Sequence, residues 1–200
     1  MLAEFAVIVV ILATVSCVYL KSTLIKSFVI LINAFIASTV AMAFFETLAG
    51  LVAGYGGEWT QGAVFLFIFV IVFAILNAAG DRFAPANIHF GDFPDRAARS
   101  LVGAFAGFVI AGIILLAAAM LPIGTKWPYE RFNSESVSTS QNKPKPDKLF
   151  LNADGFVASF TSRVSQGSMA GKKSFALVHP DFVNEIHLNR IDKDKKNLSQ

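Results

Sequence analysis

The sequence predicts an all-α membrane protein: four transmembrane helices, then a polar C-terminal tail that carries a short helix. Three observations predict this. Hydrophobic residues make up 54% of the 200-residue chain, and 20 of its residues are Phe. The apolar residues gather into four runs, at about 5–20, 27–45, 61–79 and 101–121. Lys and Arg divide unevenly, with positions 21, 26, 82, 96 and 99 holding all that precede Pro122 and the rest of the 17 following it. A membrane domain over 1–125 and a polar tail are the natural division.

The first run, FAVIVVILATVSCVYL, is apolar enough to insert. A cleaved signal peptide is the competing reading. It is disfavoured because Glu4 is the only side-chain charge before Lys21, where a signal carries Lys or Arg, and because no small-residue cleavage site precedes the next run. The single cysteine, Cys17, reads as a small packing residue, since one thiol forms neither an internal disulfide nor a cysteine-based zinc site.

Residues 21–26 make a tight connection with Lys21 and Lys26 at its ends. The second run spans 27–45. Lys26 and Glu46 stand about 30 Å apart on a straight helix, so each is expected at an opposite interface. A mid-membrane Glu46 would cost on the order of a few kcal/mol, which fixes the depth of this helix. Beyond it Gly50, Gly54, Gly56 and Gly57 interrupt an apolar stretch. Residues 47–57 are therefore expected as an interfacial segment or loose turn, with Tyr55 and Trp59 at headgroup depth.

The third run, 61–79, is apolar on all sides through 65–72 and is expected to meet lipid on several faces. Gly80-Asp81-Arg82 ends it, and 83–100 reads as a longer loop with Pro85, Gly91 and Pro94. That loop carries Asp92, Asp95, Arg96 and Arg99, of which Asp95, Arg96 and Arg99 are expected as solvated or snorkelling charges or as a contact for a partner or lipid.

The fourth run holds about 21 residues, a helix of roughly 30 Å, enough to cross a bilayer core. Gly103, Gly107 and Ala111 recur every four residues and so share one face, which admits a second helix at close range. The second helix, the third and another copy of the chain are all open as its partner.

Lys and Arg flank the loops after runs one and three, five of them against Lys126 and Arg131 near the opposite ends. This puts those two loops in the cytoplasm and both termini outside, which in a two-membrane bacterium is the periplasm.

The tail divides further. Residues 126–148 are expected as a flexible linker, rich in Ser, Lys and Pro over 133–148, with Pro144 and Pro146 favouring extension. Residues 149–190 regain apolar character. Asp154 reads as an N-cap, Phe156, Val157, Phe160 and Val164 as one helical face, and Gly167 as a stop. Residues 175–178 and 183–188 fit short strands or extended arms. This small extramembrane segment is too short to fold readily alone and is expected to pack on the membrane part, on lipid or on a partner. Residues 191–200 are charged and expected to be disordered.

Four apolar runs, Asp95-Arg96 ahead of the last, and Gly103 and Gly107 entering it resemble the colicin V production protein family (CvpA). Arg99 stands where that family's first glycine of the series would fall, and the family's Gly-Tyr-basic-basic-Gly turn is reduced here to Tyr19-Leu20-Lys21-Ser22 and Lys26-Ser27. The exit Lys126-Trp127-Pro128-Tyr129 and the turn Gln166-Gly167-Ser168 resemble the tails of longer members. The resemblance covers 1–125 and, more weakly, the tail. It implies a small inner-membrane protein associated with colicin V or toxin production or export and with envelope maintenance, and it carries over no catalytic residue.

The side chains that could carry chemistry are consistent with this. His89, His179 and His187 lack the His-Glu-x-x-His spacing and read as ordinary surface histidines. No P-loop, GxGxxG or Gly-x-Ser-x-Gly motif occurs, so neither an enzyme nor a cofactor is expected. No basic stripe is interleaved with aromatics, which excludes a nucleic-acid partner. The expected partners are the lipid bilayer and other membrane proteins or further copies of the chain. The polar residues inside the runs, Asn33 and Asn77, fall in the same half of the membrane and are placed to hydrogen-bond across helices two and three. The alternative use for them is lining a solute path in a small oligomeric channel or secondary transporter.

Overall fold

The computed structural model describes residues 2–83, 92–124, 127–132, 151–165 and 175–198. Among them there are helices and turns but no strand. Four helices are long and apolar enough to cross a membrane: α1 (Leu2–Lys21), α2 (Leu24–Gly56), α3 (Thr60–Phe83) and α4 (Asp92–Met120). A helix satisfies its own backbone hydrogen bonds, so it is the structure an apolar run takes where no water is available.

Thr23 starts α2 in an extended conformation, and its hydroxyl accepts from the Lys26 N–H. The second helix does not stop at Glu46. It runs ten residues further, to Gly56, which corrects the expected loose turn over 47–57. Glycine weakens helices in water, but Gly50 and Gly54 keep their intrahelical hydrogen bonds, and in lipid the alternative is an unsatisfied backbone. The true break is Gly57, whose φ of +57° is a left-handed conformation that favours glycine, followed by one 3₁₀ turn, Gly57–Trp59.

The expected long loop before the fourth run is also corrected: residues 92–100 are helical and belong to α4. Pro94 lies in the first turn, where a missing N–H costs nothing because the first four helical N–H groups have no intrahelical partner.

The four helices do not form a symmetric bundle. α2 lies along α3, α1 lies along α4, and α4 joins the two pairs by also touching α2 and α3. Phe65, Met42, Val109, Ile113 and Leu116 are buried where α2, α3 and α4 meet. Phe5, Leu20, Leu51, Phe67 and Leu101 point outward, as lipid-facing residues do.

The tail forms α5 (Ala153–Ser165), the single turn α6 (Phe175–Val178) and α7 (Phe182–Leu198). The strands or extended arms expected over 175–178 and 183–188 are thus helical. Val183, His187 and Ile191 are buried at four-residue intervals, the period of one helix face. The end expected to be disordered is helical through Leu198. The tail folds back onto the spanning helices: Val157, Ala158, Phe182 and Val183 share the apolar core with Ala34, Ala37 and Ala41. The expected linker over 126–148 is corrected at its start, where Arg131 and Phe132 are buried; residues 133–148, His89 and the expected stop Gly167 lie outside the described residues.

Candidate functional site

The small-residue face of α4 packs against α1, a partner not among those considered from sequence. A Cβ on Gly107 would sit 2.9 Å from Ile11 Cα, and one on Gly103 would sit 3.2 Å from Val18 Cβ. Ala111 continues the seam and is buried with Ala3 and Val7. The two backbones therefore approach as closely as the glycines allow, and this face is used within the chain. A fourth small residue, Gly112, lies one position out of that register and was not singled out. A Cβ there would collide with the Ala153 carbonyl and stand 2.8 Å from Val157 Cγ2, so Gly112 is where the tail helix α5 docks.

The charges expected in a loop sit on the first turns of α4. Arg96 is exposed. Asp95 is buried instead of solvated, paired with Arg99 Nη2 at 2.7 Å, and its second carboxylate oxygen Oδ1 has no hydrogen-bond partner. Arg99 Nη1 donates to the Ser22 carbonyl at 2.9 Å, which ties α4 to the turn between α1 and α2.

Asn33 and Asn77 meet. Asn33 Nδ2 donates to Asn77 Oδ1 at 3.0 Å, joining α2 to α3. One turn beyond Asn77, Lys26 Nζ pairs with Asp81 Oδ1 at 2.8 Å. Asn77 also lines a cavity of about 460 Å³ between α1 on one side and α2 with α3 on the other, floored by Ile110 of α4. Lys21, Ser22, Lys26 and Asp81 stand at its polar end and Ala13, Ile30 and Phe73 at its apolar end. Such a gradient suits an amphiphile, a head at one end and a hydrocarbon body at the other.

The second cluster belongs to the tail. Arg131, 6% exposed, and Asp154, 1% exposed, pair at 3.4 Å. Asp154 Oδ2 also accepts from the Tyr129 hydroxyl, Arg131 Nη1 donates to Tyr129 Oη at 2.9 Å, and Arg131 Nε donates to Asn184 Oδ1 at 2.6 Å. One guanidinium so links the segment after α4 to α5 and α7. Asp154 does not cap α5 as expected. The helix begins one residue earlier, at Ala153, and the carboxylate turns to Arg131 and Tyr129. Burial raises the Tyr129 pKa well above its ordinary value, reinforced by the Asp154 charge and hydrogen bond and opposed by Arg131.

His179 and His187 are not ordinary surface groups. His187 is buried against the Tyr129 ring, and its Nε2 has no partner. Burial, with Arg131 and Arg190 adding positive charge, lowers its pKa from 6.5 to about 3, so it is neutral. His179 bridges two carboxylates, Nε2 to Glu46 Oε1 at 2.7 Å and Nδ1 to Glu185 Oε2 at 3.1 Å. Glu46, expected at a membrane interface, also contacts His179 just after α6. No group of three or more metal-ligating side chains occurs among the described residues.

Comparison with models of protein families, with curated proteins and with solved structures finds no match.

Proposed function

We propose that this chain is an accessory membrane protein of the colicin V production type, serving toxin production or export and envelope maintenance through contacts of its helices and tail. The observation that carries the reading is the docked tail. α5 packs on α4 at Gly112, Glu46 of α2 contacts His179, and Arg131 ties the segment after α4 to α5 and α7, so that a partner engaging the tail engages the spanning helices too. The family resemblance of the sequence supports the same role. The charge distribution supports an inner-membrane orientation with the Lys21/Lys26 end in the cytoplasm and both termini in the periplasm.

Purification from mild detergent after in-cell crosslinking tests this. A distinct membrane protein should copurify with the chain, and Arg131→Met, which unfastens the tail, should release it. A pure homo-oligomer with no second component would sink the reading. Periplasmic alkaline phosphatase fused after residue 200 should be active, and an inactive fusion overturns the orientation.

A second reading, a small channel or secondary transporter, is favoured by one observation: Asn77 both bonds Asn33 and lines the cavity. Solute or ion flux in vesicles reconstituted with the pure chain, reduced by Asn77→Leu, is its expected signature. Vesicles as tight as protein-free ones would remove it.

A further inference from the structure

We propose that the cavity between α1 and the α2–α3 pair is a binding site for one anionic glycerophospholipid from the surrounding bilayer. Its phosphate would lie at Lys21 and Lys26, its ester region at Asn77 and its hydrocarbon toward Ala13, Phe73 and Ile110.

The chemistry of the walls changes in the same order along all three spanning helices. On α1 it passes from Lys21 through Cys17 to Ala13, on α2 from Lys26 to Val29 and Ile30, and on α3 from Asp81 through Asn77 to Phe73. Eight residues separate Lys21 from Ala13 and Asp81 from Phe73, a depth of about 12 Å on each helix. A glycerophospholipid has this sequence of groups: a charged head, an ester region that accepts hydrogen bonds, then hydrocarbon. Asn77 spends its carbonyl on Asn33, so its own amide N–H₂ remains as a donor at the ester level.

Charge selects the head. Asp81 neutralises Lys26 at 2.8 Å, while Lys21 has no carboxylate partner among the described residues, and Arg82 stands exposed beside Asp81. Asp95 neutralises Arg99 nearby. The mouth is therefore net cationic, and basic pockets between spanning helices favour anionic head groups.

The walls select the body. Ala13, Phe73 and Ile110 at the deep end offer only apolar surface, which suits hydrocarbon. A free phosphate would leave the apolar end unfilled. The cleft persists because α1 packs along α4 rather than against α2 or α3.

Cys17, the only thiol of the chain, lines the cavity and reports on its occupancy. The experiment measures the rate at which N-ethylmaleimide alkylates Cys17 of the purified full chain in detergent, with phosphatidylglycerol or phosphatidylcholine added in equal amount. Phosphatidylglycerol at about ten times its Kd should slow alkylation roughly tenfold, the factor 1 + [L]/Kd of single-site occupancy, and phosphatidylcholine should not. Lys21→Ala combined with Lys26→Ala should abolish most of that protection. Ala13→Phe, which narrows the apolar end, should abolish the one-lipid adduct in native mass spectrometry while leaving the charges in place. Equal protection by both lipids, protection that survives the double Lys substitution, protection by inorganic phosphate alone, or no protection would each overturn the proposal.

Discussion

Asn33 Nδ2 lies 3.0 Å from Asn77 Oδ1, and this is a side-chain hydrogen bond joining α2 to α3 along their shared face. Asn33 is 7% exposed, so its amide has no water to turn to if the partner is removed. Asn77→Leu is expected to destabilise the folded chain by about 0.6–2 kcal/mol, the range for a hydrogen bond between membrane helices. Adding Asn33→Leu should cost less than the sum of the two single changes. A double-mutant cycle on thermal or denaturant unfolding in detergent checks this. Strict additivity would mean the pair is not coupled.

Gly107 and Gly112 are five residues apart on α4 but hold different elements, so their substitution should give different failures. Gly107→Leu must push into the Ile11 backbone and should loosen α1. Gly112→Leu must push into the Ala153 backbone and should release α5 while the α1–α4 seam stays closed. Limited trypsin digestion distinguishes them. Gly112→Leu should speed cleavage at Arg163 at least about fivefold, as expected for an opening stabilised by 1 kcal/mol or more. Gly107→Leu should leave that rate nearer to the unsubstituted protein.

How much of this was legible in the sequence depends on which physical signal each residue carried. The four spans were legible because hydrophobic length alone decides them, and the face of Gly103, Gly107 and Ala111 because helical period does. Its partner was not, since packing against α1 rather than α2 or α3 depends on the order of helices around α4. The extension of α2 past Glu46 is not legible because the low helix propensity of Gly50 and Gly54 holds in water and not in lipid. The burial of His187 has a signal in the sequence: Val183 and Ile191 lie four residues to either side, a helical period, although 183–188 alone also fits a short strand. The Arg131–Asp154 pair carried none. Its members are 23 residues apart across a polar linker, and only the docking of α5 at Gly112 brings them together.

That pair predicts an asymmetry. Arg131→Met leaves the Asp154 carboxylate buried beside Tyr129 with its strongest partner gone, a loss of about 3–5 kcal/mol for a broken buried pair. Replacing both members, Arg131→Met with Asp154→Leu, removes the unpaired charge and should recover a large part of the loss. The Glu46–His179 contact is the contrast. Its side chains are 51% and 24% exposed, and Glu46→Gln should cost less than about 1 kcal/mol. Unfolding in detergent at neutral pH ranks the three variants, and an Arg131→Met no weaker than Glu46→Gln would show that the tail is not fastened there.

The buried His187 predicts how stability follows pH. Its folded pKa is lowered from 6.5 to about 3, chiefly by burial and further by the charges of Arg131 and Arg190. The unfolded chain therefore binds a proton at a pH where the folded chain does not. A lowered pKa makes the contribution of neutral His187 fully present above about pH 6.5 and lost as pH falls toward 3. Each pH unit in that window should remove about 1.4 kcal/mol from the folded state. Tyr129 acts in the opposite sense: its raised pKa keeps its contribution below its ordinary pKa of about 10 and forfeits it as pH climbs beyond. A Tm series between pH 8 and pH 4 should show a decline that His187→Phe flattens, because the ring still fills the space beside Tyr129 but takes no proton. A variant that declines as steeply as the unsubstituted chain would assign the acid limb to the carboxylates instead.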